Sequence, residues 1–332
     1  ERLMRRFVTG CMAAGLILAS LLPGRAAAQQ PVVVKLGNVH QADLPIQVGL
    51  KKFSDLVADR TKGQLRIQVF PASQLGTEQE LLEGVQLGTL QMMEGATGAV
   101  GRFLPDLEAF SAPYIWRDTD HMVRTVRGPI GQGLADRLLK AKGLRILDMG
   151  WVWGNRHLTT KNKAVRAPED LRGQKIRVQP VQIYLESIRA MGGNPVPLDA
   201  KEIYLGLQSG VIDGQENPPS NILAAKMYEV QKYMMLTGHI LQNNAVVIGE
   251  KFYRSLSPAF QKALRDSAVE AGDFQNELAL KQEKLDQERL KEKGMTIVQP
   301  DLKAFREATK DVYKRFADKW EPRLVERIQE AK

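Results

Sequence analysis

The sequence predicts an α/β protein of two lobes, with one long helix running across both. Three observations predict it. Residues 32–93 alternate strand and helix patterns in the order β-α-β-α-β, the signature of a parallel sheet. Strand-like runs return late, at Gln231–Leu236 and Ala245–Ile248, beyond a block with strands of its own, so the chain is expected to cross between two sheets more than once. After Ser257-Pro258 a helical pattern continues to Gly294, roughly 36 residues or about 54 Å at about 1.5 Å per residue, longer than one lobe is wide.

Taken in order, Val32–Gly37 reads as the first strand. Ile46–Arg60 carries helical periodicity in Ile46, Leu50, Phe53 and Val57 and stops at Lys62-Gly63. Leu65–Phe70 alternates as a second strand, closed by Pro71. Thr77–Gly88 is a helix whose Thr77 and Glu80 fit a capping box, and Leu90–Met93 is a third strand. Pro105–Trp116 reads as an irregular apolar loop, Asp118–Arg127 and Ile130–Lys142 as helices, and Leu144–Trp151 and Arg156–Thr160 as two strands.

In Lys175–Val178 the alternation points Ile176 and Val178 one way and Arg177 the other. Apolar-periodic Tyr184–Met191 and the helix Ala200–Ser209 separate this strand from another at Val211–Asp213, with Asn217 just beyond it. Ligand crevices of open α/β sheets lie at the carboxyl ends of strands. Arg177 and Asn217 are therefore expected on one cleft wall. Ser257 as N-cap and Pro258 at the first helical position open the long helix, and Asp301–Gln329 reads as one amphipathic helix. The expected lobes are residues 29–153 with about 242–281, and about 154–241 with 282–300; residues 301–332 form a C-terminal helix packed on both.

With 332 residues, 43% apolar and 26% charged, the chain is long enough for two lobes and ordinary for a globular protein. Met4-Arg5-Arg6, the apolar run Cys11–Leu22 and Ala26-Ala27-Ala28 together read as a cleavable export signal over residues 1–28, with Glu1–Leu3 preceding the start methionine Met4. The apolar run is shorter than the roughly 20 residues of a membrane span. The one cysteine, Cys11, leaves with the signal, which excludes thiol nucleophiles, thiolate metal sites and disulfides from the exported chain. Residues 1–28 hold Arg2, Arg5, Arg6 and Arg25 against Glu1, so the net charge of +9 falls to +6 on cleavage. That mild field suits anionic ligands. No basic run interleaved with aromatics suggests nucleic acid. The four histidines, His40, His121, His157 and His239, lack metal-motif spacing, and no G-x-S-x-G elbow, P-loop or dinucleotide fingerprint occurs. Neither a catalytic residue, a metal nor a cofactor is expected; an enzyme acting on carboxylic acids is the rival reading, and it lacks a nucleophile–base pair.

Arginine offers a rigid planar fork that matches a carboxylate, which lysine does not. Arg177 is accordingly the first candidate for a carboxylate clamp. Gln179 in the turn after its strand, Asn38 and His40 after the first strand, and Glu94 at the end of the third are candidates at matching strand ends. Trp153 is a candidate cleft wall and Asn244 a further polar candidate.

Several stretches occur together and in order: Phe70–Met92, Asn155-Arg156-His157, Asp170–Val178, Pro195-Val196-Pro197, Glu202-Ile203-Tyr204, Leu207–Pro218 and Tyr228–Tyr233. Over nearly the whole exported chain they resemble the periplasmic solute-binding proteins of tripartite ATP-independent periplasmic (TRAP) transporters, the DctP-like class. The resemblance implies the two-lobed periplasmic-binding-protein (Venus flytrap) fold. It also implies that Arg177 makes the bidentate bridge to the substrate carboxylate, Arg156 is the second cationic contact and Asn217 bonds the carboxylate from the far side. Where the family often carries an aromatic residue before Glu-Ile-Tyr, this chain has Ala200 beside Asp199, a departure that suits a hydroxylated acid. The implied partners are a small organic acid (sugar acid, 2-oxo or 2-hydroxy acid, or dicarboxylate) and the transporter's membrane permease subunits. The implied setting is the periplasm, with the receptor a monomer. A periplasmic ligand sensor of the same fold is the alternative.

Overall fold

The computed structural model describes residues 30–332; the export signal expected over residues 1–28 lies outside the described residues. Pro31–Lys332 form one compact unit. Its strands are β1 (Val32–Gly37), β2 (Leu65–Phe70), β3 (Met92–Ala96), β4 (Leu144–Thr160), β5 (Lys175–Val178), β6 (Asn194–Pro197), β7 (Gly214–Asn217), β8 (Tyr233–Gly249) and β9 (Thr296–Val298). They form a single nine-stranded sheet in the order β2-β1-β3-β8-β4-β7-β5-β6, with β9 beside β8, where two sheets were expected.

The reason is that β4 and β8 are each 17 residues long and pair antiparallel along most of their length. Each had been expected as two separate strands. Register shifts between Ile146 and Asp148, Asp148 and Trp151, Val152 and Gly154, and Arg156 and Leu158 break the alternation. Gly154 and Gly238 take positive φ of 122° and 48°, which a side chain disfavours. Such bulges bend a strand without ending it, so a pattern that reads as an interruption is a continuous strand turning from one lobe into the other. The parallel group β2-β1-β3 belongs to one lobe and β7-β5-β6 to the other, with β4 and β8 common to both.

The long helix, Pro258–Glu292, starts at Ser257, whose hydroxyl accepts from the Phe260 N–H at 3.3 Å. Its Leu264, Ala268 and Ala271 pack in a core with Leu36 and Phe53 of the first lobe. Its Leu290 packs with Ile203, Leu207 and Ile212 of the second. Between them, Asn276 accepts from the Val152 N–H and donates to the Gly150 carbonyl, both at 2.7 Å, so the helix satisfies β4 backbone groups that the bulges free.

Four further expectations are corrected. The strand placed at Val211–Asp213 begins at Gly214: Ile212 packs into the second-lobe core, and the Asp213 carboxylate accepts from the Lys175 N–H at 2.8 Å. The third strand begins at Met92, two residues later than expected. β6 and β9 were not foreseen; Pro195 and Pro197 hide β6, an edge strand that tolerates proline. The single helix expected over Asp301–Gln329 is three short pieces, Leu302–Thr309, the 3₁₀ turn Val312–Phe316 and Leu324–Glu330, interrupted near Pro322 and by Arg323 at φ 60°. No helix among the described residues is long and apolar enough to cross a membrane.

Candidate ligand-binding cleft

β5 delivers Arg177 as the alternation requires. Ile176 and Val178 are fully buried in the core, while Arg177, 2% exposed, faces the other way into a cleft between the lobes. Its Nε and Nη2 both donate to the Leu198 carbonyl, at 2.8 and 2.6 Å. No ion pair among the described residues includes it. Burial, and the like charge of Arg156 behind it, pull its pKa down to about 10. The guanidinium is thus a buried cation whose fork is aimed but whose charge is not neutralised by a contacting carboxylate.

Seven candidates meet around this cleft: His40, Trp153, Arg177, Gln179, Asp199, Ala200 and Asn217. His40 and Trp153 stack with ring centroids 4.1 Å apart. Asn217, the last residue of β7, donates to the Gln215 amide oxygen at 2.6 Å, which fixes its side chain at the strand end. The Gln179 Oε1 is buried without a hydrogen-bond partner. Ala200 contributes only a methyl group, beside the Asp199 carboxylate.

The other four candidates stand behind this wall and do not line it. Asn38 is a turn residue: its Oδ1 accepts from the His40 N–H at 3.0 Å and the Gln47 amide at 2.8 Å, which sets the loop that carries His40. Glu94 is fully buried, accepts from Asn244 Nδ2 at 2.6 Å and lies 3.4 Å from His40 Nε2. Asn244 therefore orients both Glu94 and His40, whose Nε2 it approaches at 3.1 Å.

Arg156 is fully buried and its fork is largely used. Nε and Nη2 grip the Glu216 carboxylate, with Nη2 to Oε1 at 2.7 Å; Nη2 also reaches the Glu216 carbonyl and Nη1 the Gln242 amide. Burial opposes the ionised form of both partners, but the pair outweighs it, raising Arg156 and lowering Glu216 to about 2. The Arg156 guanidinium lies 5.4 Å from the Tyr184 ring centroid. It is a neighbouring charge with one Nη1 hydrogen to spare, held inside the lobe rather than on the cleft wall.

Sequence reasoning missed Glu78, Gln79 and Arg102, all of which line the cleft. Glu78 accepts from the Ala96 N–H at 2.7 Å, and burial raises its pKa. Arg102 spans the cleft mouth, donating to Gln79 in its own lobe at 2.6 Å and to the Pro180 carbonyl in the other. For Glu78 and Gln79 a signal was present: the strand-end logic that chose His40 applies equally to the segment following β2.

Comparison with known proteins identifies the family. The family model for bacterial extracellular solute-binding protein, family 7 (DctP) matches residues 36–319. The chain is 37% identical over 263 residues to the 2,3-diketo-L-gulonate-binding periplasmic protein YiaO of Escherichia coli, covering 79% of each protein. It is 32% identical to the C4-dicarboxylate-binding periplasmic protein DctP of Rhodobacter capsulatus, covering 89% of this chain and 87% of that one. A TRAP periplasmic solute-binding protein of Actinobacillus succinogenes, solved with bound L-galactonate, is 33% identical and superposes with a TM-score of 0.87 over 90% of this chain and 99% of that one. With its through-sheet β4 and β8, its spanning helix and its arginine-lined cleft, the chain belongs to the DctP family of TRAP transporter solute-binding proteins.

Proposed function

We propose that the protein is a periplasmic receptor that captures a small organic acid on Arg177 and presents it to a membrane permease, with no chemistry of its own. The observation that carries this is the Arg177 guanidinium, 2% exposed, facing the cleft and outside every ion pair among the described residues. A carboxylate placed there supplies the counter-charge that burial demands, through the Nη1 and Nη2 hydrogens that Leu198 leaves free. Asn217 donates from the end of the neighbouring strand β7.

The rest of the cleft favours hydroxylated acids over dicarboxylates. His40, Gln79, Gln179 and Asp199 offer hydrogen bonds where a second ligand carboxylate would meet Asp199 and Glu78. YiaO and the Actinobacillus protein, with their sugar-acid names, support that choice. The cleft encloses about 50 Å³, tight for a six-carbon acid, so the lobes part to admit one. The bulged β4 and β8 are the natural hinge, and Arg102 with the Pro180 carbonyl is a contact that opening breaks. Closure then removes water from the arginine–carboxylate contact and strengthens it.

A thermal-shift screen with L-galactonate, 2,3-diketo-L-gulonate, succinate and neutral galactose tests the reading. A ligand at about a hundred times its dissociation constant adds roughly 2.7 kcal/mol of stability. Shifts with acids and none with galactose support the clamp; a shift with galactose and none with any acid overturns it.

A further inference from the structure

A second hollow, larger than the cleft, lies elsewhere in the described residues. It measures about 750 Å³, within the range of small-molecule sites, and lies in the C-terminal region where Leu302–Thr309 and the turns up to Leu324–Glu330 close over the Pro113-Tyr114 loop. Its wall is aromatic. Phe316 and Trp320 stack with centroids 4.4 Å apart and planes 15° from parallel, and Tyr114 and Tyr313 complete the lining.

Three features point to a ligand. Trp320 is 6% exposed, yet its indole Nε1 is buried without an acceptor. Buried donors are normally satisfied. The rim is cationic: Arg306 and Arg323 belong to no ion pair among the described residues, and Arg306 lies 4.3 Å from the Tyr114 ring centroid. Of the two carboxylates on the lining, Glu321 is paired with Arg137 and Arg327, and Glu326 stands alone against Arg306 and Arg323. Finally, Tyr114 and Arg323 both hold positive φ, at 54° and 60°, and such non-glycine conformations cluster at ligand clamps. Tyr114 is held there from the sheet, its N–H donating to the His239 carbonyl at 2.9 Å and its hydroxyl to the Thr237 carbonyl at 3.1 Å.

We propose that this hollow is a second small-molecule site, separate from the cleft, that takes a planar aromatic acid, with its ring against the Phe316–Trp320 stack and its carboxylate toward Arg306. The aromatic wall selects a flat π-face, the unpaired arginines select an anion, and the unsatisfied indole N–H is a donor that lacks an acceptor.

The test uses the full chain, ¹⁵N-labelled, titrated with 1-naphthoate while the tryptophan indole N–H signals are followed by NMR. Trp320→Phe identifies the Trp320 signal; should that variant fail to fold, the exposed Arg306→Ala carries the test. The expected result is a saturable movement of the Trp320 signal that persists in Arg177→Ala and weakens about tenfold in Arg306→Ala. Neutral 1-naphthalenemethanol should bind more weakly than 1-naphthoate. A Trp320 signal that never moves, equal binding of the neutral alcohol, or loss of the response in Arg177→Ala overturns the proposal. The cleft reading stands or falls separately, because its ligands and its arginine are different.

Discussion

Arg177 gives two of its donors, Nε and Nη2, to one acceptor, the carbonyl oxygen of Leu198. That shared acceptor fixes the plane of the guanidinium while leaving the Nη1 hydrogens and the second Nη2 hydrogen pointing elsewhere. A backbone carbonyl orients the fork without neutralising it, which a carboxylate could not do. The cleft therefore keeps for its ligand a cation that no contacting carboxylate neutralises.

Asn217 ends the strand that runs parallel beside that of Arg177 and is tied to Gln215 at 2.6 Å. Replacing it with alanine removes one donor to a charged acceptor, a loss of about 1.5 kcal/mol or more. Calorimetry with L-galactonate should show affinity about tenfold lower in Asn217→Ala, with the melting temperature of the free protein little changed.

Ala200 is the smallest side chain among the cleft candidates. In Ala200→Phe the ring occupies space that a polyhydroxylated acid needs. Competition assays should show the ratio of L-galactonate to succinate affinity falling by about tenfold or more, with succinate binding kept. An unchanged ratio means that Ala200 does not set ligand size.

Glu216 is held near pKa 2 because Arg156 and His239 outweigh the burial that opposes its charge. A carboxylate lowered in the folded state contributes stability above its ordinary value near 4.5 and loses it as the pH falls toward about 2. Glu216→Gln leaves Arg156 buried and unpaired, at a cost of about 3–5 kcal/mol at pH 7 in urea unfolding. Its deficit relative to wild type should shrink as the pH is lowered from 4.5 towards 2.

Glu108 behaves in the opposite sense. Its carboxylate accepts from the Ile183 N–H across the lobes at 3.2 Å, yet burial pushes its pKa up to about 7. The folded state then binds the proton more tightly than the unfolded one, so stability falls as the pH rises from about 4.5 to 7. Glu108→Gln should flatten that slope and be more stable than wild type at pH 8, by up to about 3 kcal/mol. A parallel pH profile for the two proteins contradicts the assignment.

What the sequence disclosed, and what it hid, follows from how far apart the interacting parts lie. Local rules located Arg177 from the alternation of Lys175–Val178, the helix starts at Thr77 and Ser257 from their caps, and the long helix from its spacing. Gln215 and Glu216 fall beyond the strand expected at Val211–Asp213, because buried polar side chains in a strand make sense only once Arg156, sixty positions away, and Thr159 are in place to receive them. The same distance conceals Arg102, whose contact with Pro180 exists only in the folded molecule. The continuity of β4 and β8 was masked by their own bulges, which read locally as strand ends. Arg156, implied by resemblance as the second cationic contact, lies inside the lobe with its fork largely committed to Glu216, a pairing that no local pattern discloses.

The clamp is tested most directly by isothermal titration of L-galactonate into the wild type, Arg177→Ala and Arg177→Lys. Removing one partner of a desolvated charge pair costs about 2–5 kcal/mol. The predicted result is affinity at least about thirtyfold lower in Arg177→Ala, little recovery in Arg177→Lys, and free-protein stability equal to or above wild type, since an unneutralised buried cation is removed. Affinity within about threefold of wild type in a folded Arg177→Ala protein would contradict the account.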